Sequence, residues 1–274
     1  MTSGIGPSAT LREHGIKILK DLPGVGQNLW DHPLFGTSFE VNLDASPSDT
    51  VQVSEYNQTP PNGPLTNAGN PAIGWDSLPP SYLSTGTRQA LSQFPPDWPQ
   101  IEWLAASVGL GNATNGVFRT VFTALVAPLS RGYVTIRSAR MADAPAINFN
   151  YLTHPGDQEV AIAAFKRQRE SWSKLSSVTI GVENVPGPAV QTDAEILAYI
   201  RSSLSPLYHA AATCKMGKQS DSMAVVDSHF RVYGTRRLRI VDASVFPFLP
   251  PGHPQSTVYA LAEKAAVEIL QGRS

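Results

Sequence analysis

Three proline pairs, Pro60-Pro61, Pro79-Pro80 and Pro95-Pro96, fall within residues 44–100 and limit that stretch to short elements joined by irregular surface. Each proline fixes one backbone torsion and removes one hydrogen-bond donor, so neither a long helix nor a central strand runs through such a pair. The one helical pattern expected there spans Ser81 to Ser92, and the remainder has room for an access lid. The same restriction holds along the whole chain, where 23 prolines and 21 glycines make up about 16% of 274 residues, against roughly 12% in average usage. A hydrophobic content of 42% with 16% charged residues still suffices for one large core or two small ones.

Charge narrows the function classes. With 21 basic and 22 acidic side chains the net charge is −1, which supplies no field to gather nucleic acid or an anionic membrane surface. No run approaches the roughly 18 to 20 apolar residues of a membrane helix, and Met1-Thr2-Ser3-Gly4 has neither the charged nor the apolar region of a signal peptide, so the chain is expected to be soluble. Cys214 has no second cysteine to pair with inside the chain and is read as a small buried hydrophobe. Asn57-Gln58-Thr59 and Asn112-Ala113-Thr114 are glycosylation sequons, in agreement with secretion of a parent protein.

Along the chain, Ser8–His14 is expected to be a short helix stopped at Gly15, followed by a strand at Ile16–Leu19 and a glycine turn over Leu22-Pro23-Gly24-Val25-Gly26. Three apolar runs, Ile101–Gly109, Val117–Leu129 and Arg131–Arg137, read as adjacent strands of an antiparallel sheet. Helices are expected at Gln158–Leu175 and, from a Thr192/Asp193 cap, at Asp193–Ser203, covering one sheet face. A strand at Leu238–Asp242 and a closing helix from Gln255 to Leu270 complete the pattern, which places the chain in the α+β class.

The chemistry-bearing candidates are histidines, whose unperturbed pKa lies near neutrality. His209 sits in Leu207-Tyr208-His209-Ala210-Ala211-Ala212, where small neighbours leave room for a ligand. His253 sits in Pro250-Pro251-Gly252-His253-Pro254, where the prolines impose the direction of the ring. His14, His32, His154 and His229 are read as loop histidines satisfied by backbone carbonyls. No HExxH, HxH or CxxC spacing points to a metal, and Gly-x-Ser-x-Gly is absent. Gly24-Val25-Gly26 is not a phosphate cradle, because the third glycine of that fingerprint would fall on Leu29.

Three segments in series resemble the glucose-methanol-choline (GMC) flavoprotein oxidoreductases, closest to the fungal aryl-alcohol oxidase and versicolorin-synthase-like branches. The first is Ser3-Gly4-Ile5-Gly6-Pro7 with Asp21-Leu22-Pro23-Gly24-Val25-Gly26-Gln27-Asn28-Leu29-Trp30-Asp31-His32. The second runs from Ser130-Arg131-Gly132-Tyr133 to Asn150-Tyr151-Leu152, and the third holds Tyr208-His209, Cys214-Lys215-Met216-Gly217, Val241-Asp242-Ala243-Ser244 and Pro251-Gly252-His253-Pro254-Gln255. The resemblance implies FAD-dependent oxidation of a CH–OH group, with hydride passing to flavin N5. In this family the residue matching His209 is the general base, the one matching His253 hydrogen-bonds the same oxygen, Asp242, Ala243, Pro254 and Gln255 match flavin contacts, and Tyr208 lines the substrate side.

By the same resemblance, residues 1–34 are a partial FAD-domain segment, 35–205 an antiparallel-sheet substrate-binding domain with covering helices, and 206–274 a C-terminal segment carrying the FAD-domain strand and helix. The family's dinucleotide-binding N-terminal half has no counterpart in these residues, so the chain reads as a C-terminal part. Its exposed faces toward that half are expected to be apolar, and FAD binding by this chain alone is not expected. The expected partners are a small alcohol, a separate FAD-binding half or a second copy, with no nucleic acid and no membrane. Two alternatives remain: a cofactor-independent cyclase or dehydratase acting on a polyketide-like substrate, and a non-catalytic complementing subunit.

Overall fold

The computed structural model describes residues 1–66, 70–111 and 115–272. Its elements begin β1 (Ile5–Gly6), α1 (Ser8–Glu13), β2 (Lys20–Asp21), β3 (Gln27–Leu29), β4 (Pro33–Val41), α2 (Asp49–Tyr56), β5 (Ala72–Asp76) and α3 (Thr85–Leu91). They continue with β6 (Ile101–Ala106), β7 (Phe118–Leu125), β8 (Gly132–Thr135), β9 (Ala146–Asn148), α4 (Pro155–Ser173), β10 (Thr179–Val185), α5 (Asp193–Ser203) and α6 (Gln255–Leu270). The chain divides into two units: Met1–His32 with Pro128–His154 and Pro206–Ser274, and Pro33–Ala127 with Pro155–Ser205. The fold is a mixture of helices and largely antiparallel sheet, the expected α+β class.

In the second unit, β10, β4, β7, β6 and β5 are neighbours in one antiparallel sheet, with Leu34 opposite Ala124 and Ile101 opposite Leu125. Helix α4 packs its Val160, Ala161, Ala164, Phe165 and Trp172 side inward, all buried. Trp172 donates its indole N–H to Thr37 Oγ1 at 2.8 Å and tilts against Phe39 at 4.7 Å, which satisfies the polar end of a buried aromatic. Arg169 forks onto the buried Glu183 carboxylate at 3.1 and 2.5 Å and so fixes β10 against α4. The expected start of α5 is present as a complete capping box, in which Thr192 accepts the Glu195 N–H and the Glu195 carboxylate accepts the Thr192 N–H. Thr192→Ala should lower stability by about 1 kcal/mol in chemical denaturation.

In the first unit, α1 leads from β1 to a parallel partner, β2, and β8 lies between β3 and β9. Leu22, Val225, Phe230, Val232 and Val245 form the core beneath α6, which contributes Ala265. Helix α6 also carries exposed apolar side chains, Tyr259, Val267, Ile269 and Leu270. No described helix is long and apolar enough to cross a membrane.

Several expectations need correction. The strand expected at Ile16–Leu19 forms at Lys20–Asp21, because Gly4 C=O accepts the N–H groups of both Leu19 and Lys20 and starts the pairing there. The Arg131–Arg137 strand is not a neighbour of β6 and β7. It pairs with β3 and β9, and residues 128–154 lie in the first unit. Leu238–Asp242 forms only an isolated bridge between Arg231 and Arg239, since a chain turning at Arg237 (φ 59°) cannot extend a ladder. The proline-rich stretch also holds α2, ahead of its first proline pair, and an edge strand, β5, between the first and second pairs. Asn57 of the first sequon is exposed at the end of α2, and Asn112-Ala113-Thr114 lies outside the described residues.

Candidate active site

A backbone bridge in the first unit assembles the site. Trp30 and Ala211 exchange both of their N–H···O=C bonds, at 3.1 and 2.9 Å, and the Leu207 N–H reaches the His32 carbonyl at 2.9 Å. The segment Asp31-His32 is thereby laid against Tyr208-His209. Tyr208 (φ 62°) and Ala212 (φ 70°) adopt the left-handed region, which turns the chain on both sides of His209 at some backbone cost. Past the bridge, the N–H groups of Ala212, Cys214 and Met216 donate to the carbonyls of Ala243, Ser244 and Val245, so the segment that follows His209 is sewn to the one that follows Asp242.

Asp31 is the hub of this arrangement. Its Oδ1 accepts the backbone N–H groups of His32 and His209, each at 2.8 Å, and its Oδ2 accepts the Tyr151 hydroxyl at 2.7 Å. Tyr151 is held flat against Phe149, with ring centroids 4.9 Å apart. Burial raises the Asp31 carboxyl above its ordinary value despite these three donors, and burial together with the bond to Asp31 pushes the Tyr151 hydroxyl well up. The phenol therefore stays protonated and donating.

Three imidazoles meet above this hub. His32 Nδ1 lies 3.0 Å from His209 Nδ1, and the two rings meet edge to face. The His209 ring in turn meets His253 edge to face, with centroids 5.0 Å apart. His32 is fully buried and His209 is 9% exposed, whereas His253 is exposed on the loop between Gly252 (φ 117°) and Pro254, the N-cap of α6. Since Nδ1 of His209 is engaged with His32, Nε2 is the ring nitrogen left to face a substrate. Trp30 lies beside Phe248, and the Arg131 guanidinium stands 3.4 Å above the Trp30 ring, a cation–π contact.

Burial, with a further contribution from His253, depresses His209 to about 4, and burial with both neighbouring rings holds His32 well below the ordinary histidine value. Both rings are therefore uncharged at neutral pH. Each would bind a proton more readily in the unfolded chain, so their contribution to stability is complete above about pH 6.5 and is lost as pH falls toward 4. Unfolding free energy measured by denaturant titration should be flat from pH 7 to 8 and decline between about 6.5 and 4.

The remaining expected site residues take the following places. Tyr208 is 86% exposed beside His209. Asp242 is exposed, and its carboxylate accepts the Ser244 N–H at 2.8 Å, capping the short turn Ala243–Val245. Pro254 and Gln255 follow His253 directly into α6. The backbone ties Asp242 and Ala243 to the His209 segment, and the rings bring His209 and His253 together.

The sequence alone suggests for His32 a loop histidine satisfied by a backbone carbonyl. Instead its Nδ1 meets His209, and its buried Nε2 has no hydrogen-bond partner. Asp31 and Tyr151 fall inside two of the family-like segments, but the sequence reading gives neither a place in the site. For Asp31 the local signal is an acid beside a histidine shortly after the Gly24–Gly26 turn, which does not reveal that the segment pairs with one some 180 positions away. His229 pairs with Glu268 at 3.0 Å, a structural contact on α6. Gly24 and Gly26 sit where a side chain would strike the carbonyls of Met223 and Val134, so these glycines serve close backbone packing and not a phosphate. Among the described residues, no group of three or more His, Cys, Asp or Glu is arranged to hold a metal ion. Cys214 is half-buried and not the fully buried hydrophobe expected, and desolvation still raises its thiol.

Comparison with known proteins gives a consistent answer. Residues 128–262 match the C-terminal family model of the GMC oxidoreductases. The chain is 48% identical over 290 residues to the dehydrogenase pkfF of Emericella nidulans, covering 99% of this chain and 47% of that protein. It is 40% identical over 284 residues to versicolorin B synthase of Aspergillus parasiticus, covering 100% of this chain and 44% of that protein. Among solved structures, a formate oxidase of Aspergillus oryzae studied for its FAD modification superposes with a TM-score of 0.86 at 28% identity, over 98% of this chain and 51% of that one. The chain spans about half the length of the curated relatives it matches.

Proposed function

This chain belongs to the GMC oxidoreductase family, and from that premise we propose that it is the substrate-side part of an FAD-dependent oxidoreductase that oxidises a CH–OH group. The observation that carries this reading is His209: an uncharged imidazole with one nitrogen anchored on His32, its ring packed against His253.

The residues present fit the flavin end of FAD by the chemistry of their donor set. An exposed carboxylate at Asp242, the backbone at Ala243 and the Pro254-Gln255 start of α6 would hold its polar edges, beside the exposed aromatic surfaces of Tyr208 and Phe248. Among the described residues there is no glycine-rich strand-turn-helix for the pyrophosphate, since the Gly24–Gly26 turn is filled by backbone and leads into a strand. A dinucleotide-binding half, joined to this chain or separate, completes the cofactor site. When bound, FAD supplies the two-electron acceptor for hydride. The work of the chain is then acid–base: as the carbinol C–H bond breaks and the C=O bond forms, His209 Nε2 takes the hydroxyl proton and His253 hydrogen-bonds the same oxygen. A base already uncharged at any pH above about 4 needs no deprotonation beforehand.

A second reading, acid–base cyclisation or dehydration without a cofactor, is favoured by the 40% identity to a versicolorin B synthase. An absorbance spectrum separates the two. The protein is isolated alone and together with a dinucleotide-binding half and is then mixed with FAD. Retained flavin in either preparation supports the redox reading. A protein colourless in both overturns it, and a colourless protein whose activity disappears in His209→Ala establishes the second.

A further inference from the structure

The geometry assigns His32 as the positioning residue that selects the tautomer of His209: the His32 ring accepts the Nδ1–H of His209, so that the lone pair of His209 stands on Nε2, toward the substrate. This rests on the reading of His209 as a base and adds to it a residue that never touches the substrate. Two nitrogens 3.0 Å apart share one hydrogen, so one ring donates and the other accepts. With His32 as donor, His209 would carry its hydrogen on Nε2 and could only donate to an alcohol oxygen. With His32 as acceptor, Nε2 of His209 is the open basic site.

Three further observations bear on the assignment. Oδ1 of Asp31 holds the backbone N–H groups of both histidines, so the two main-chain segments that carry the rings are fixed against one another. His32 is fully buried, and an imidazolium there would lose its hydration. The proton taken from the alcohol therefore stays on His209, whose Nδ1–H bond to a neutral acceptor becomes charge-assisted and roughly twice as strong as the charge develops. Finally, the assignment places the hydrogen of His32 on Nε2, the buried atom that has no partner. An unsatisfied polar atom of this kind is uncommon in a folded interior and is characteristic of a site where function outweighs stability.

The experiment is a nitrogen-15 spectrum of the 274-residue chain labelled at histidine, which reports directly which nitrogen of each ring bears hydrogen and needs neither flavin nor substrate. The wild-type chain should show His209 hydrogenated at Nδ1 and His32 at Nε2. His209 hydrogenated at Nε2 overturns the assignment without recourse to any variant. His32→Phe, which fills the space without an acceptor, should move the His209 population toward Nε2–H by roughly two- to tenfold, the worth of one neutral hydrogen bond. His32→Asn, which keeps an acceptor close to the position of Nδ1, should restore it, and an unchanged tautomer in His32→Phe counts against the assignment. In the flavin-loaded enzyme His32→Phe should slow flavin reduction by about 10- to 100-fold, with recovery in His32→Asn. If the tautomers are as assigned but no alcohol reduces the flavin, the redox reading fails and the histidine pair stands.

Discussion

Replacing His209 by alanine should slow flavin reduction by an alcohol about 10²- to 10⁴-fold, the usual contribution of one well-placed proton acceptor. The loss should appear in the rate at saturating alcohol more than in apparent affinity, because the proton moves only as the C–H bond breaks. The substitution also leaves Nδ1 of His32 without its partner in a buried place, at a cost of roughly 1–3 kcal/mol in stability. His209→Asn, whose amide N–H can stand in for the Nδ1–H that His32 accepts but which offers no base at Nε2, should recover much of that stability and little of the rate. Since His209 is held near 4, the rate for the wild-type enzyme should not fall through pH 6.5, where an ordinary histidine would titrate, and should decline only toward pH 4. A fall centred near 6.5 would place the proton acceptor elsewhere.

Asp31→Ala should be among the most destabilising single substitutions in the first unit. It removes one carboxylate and leaves three donors unpaired: the buried backbone N–H groups of His32 and His209 and the half-buried hydroxyl of Tyr151. At roughly 1–3 kcal/mol for each unsatisfied group, a loss of about 3 kcal/mol or more follows, a large fraction of the 5–15 kcal/mol typical of a whole domain. Asp31→Asn keeps an acceptor for the two backbone groups and should cost far less, about 1 kcal/mol. Tyr151→Phe removes a single donor and should resemble Asp31→Asn. Urea denaturation of the three variants gives the order directly, and equal losses in Asp31→Ala and Asp31→Asn would show that the carboxylate does not organise the two histidine segments.

Local chemistry was readable in advance where it was self-contained. The Thr192 cap, helix α5 and the closing helix α6 lie where composition and periodicity put them, because each is decided by neighbours three or four residues away. Gly15, at φ 65°, stops α1 as expected. What failed depended on distant pairing. The alternation of Gly132–Thr135 identifies a strand but cannot say that its partners are Gln27–Leu29 and Ala146–Asn148 in preference to the adjacent β7. The same limit explains the site. His209 and His253 stand out because each lies in unusual local sequence, whereas His32 looks like any loop histidine until the Trp30–Ala211 bridge lays it against His209. The Asp31 hub is likewise a product of that bridge, since one of its amide donors is the next residue, His32, and the other, His209, lies 178 positions along the chain from Asp31.

The most direct test of the central claim is anaerobic reduction of the flavin by a primary alcohol, followed by loss of the oxidised-flavin absorbance in the FAD-loaded protein that contains this chain. Bleaching in the wild type, with His209→Ala slower by about 10²-fold or more, is the expected result. Flavin that stays oxidised with every alcohol offered, or that bleaches equally fast without the imidazole of His209, would contradict it.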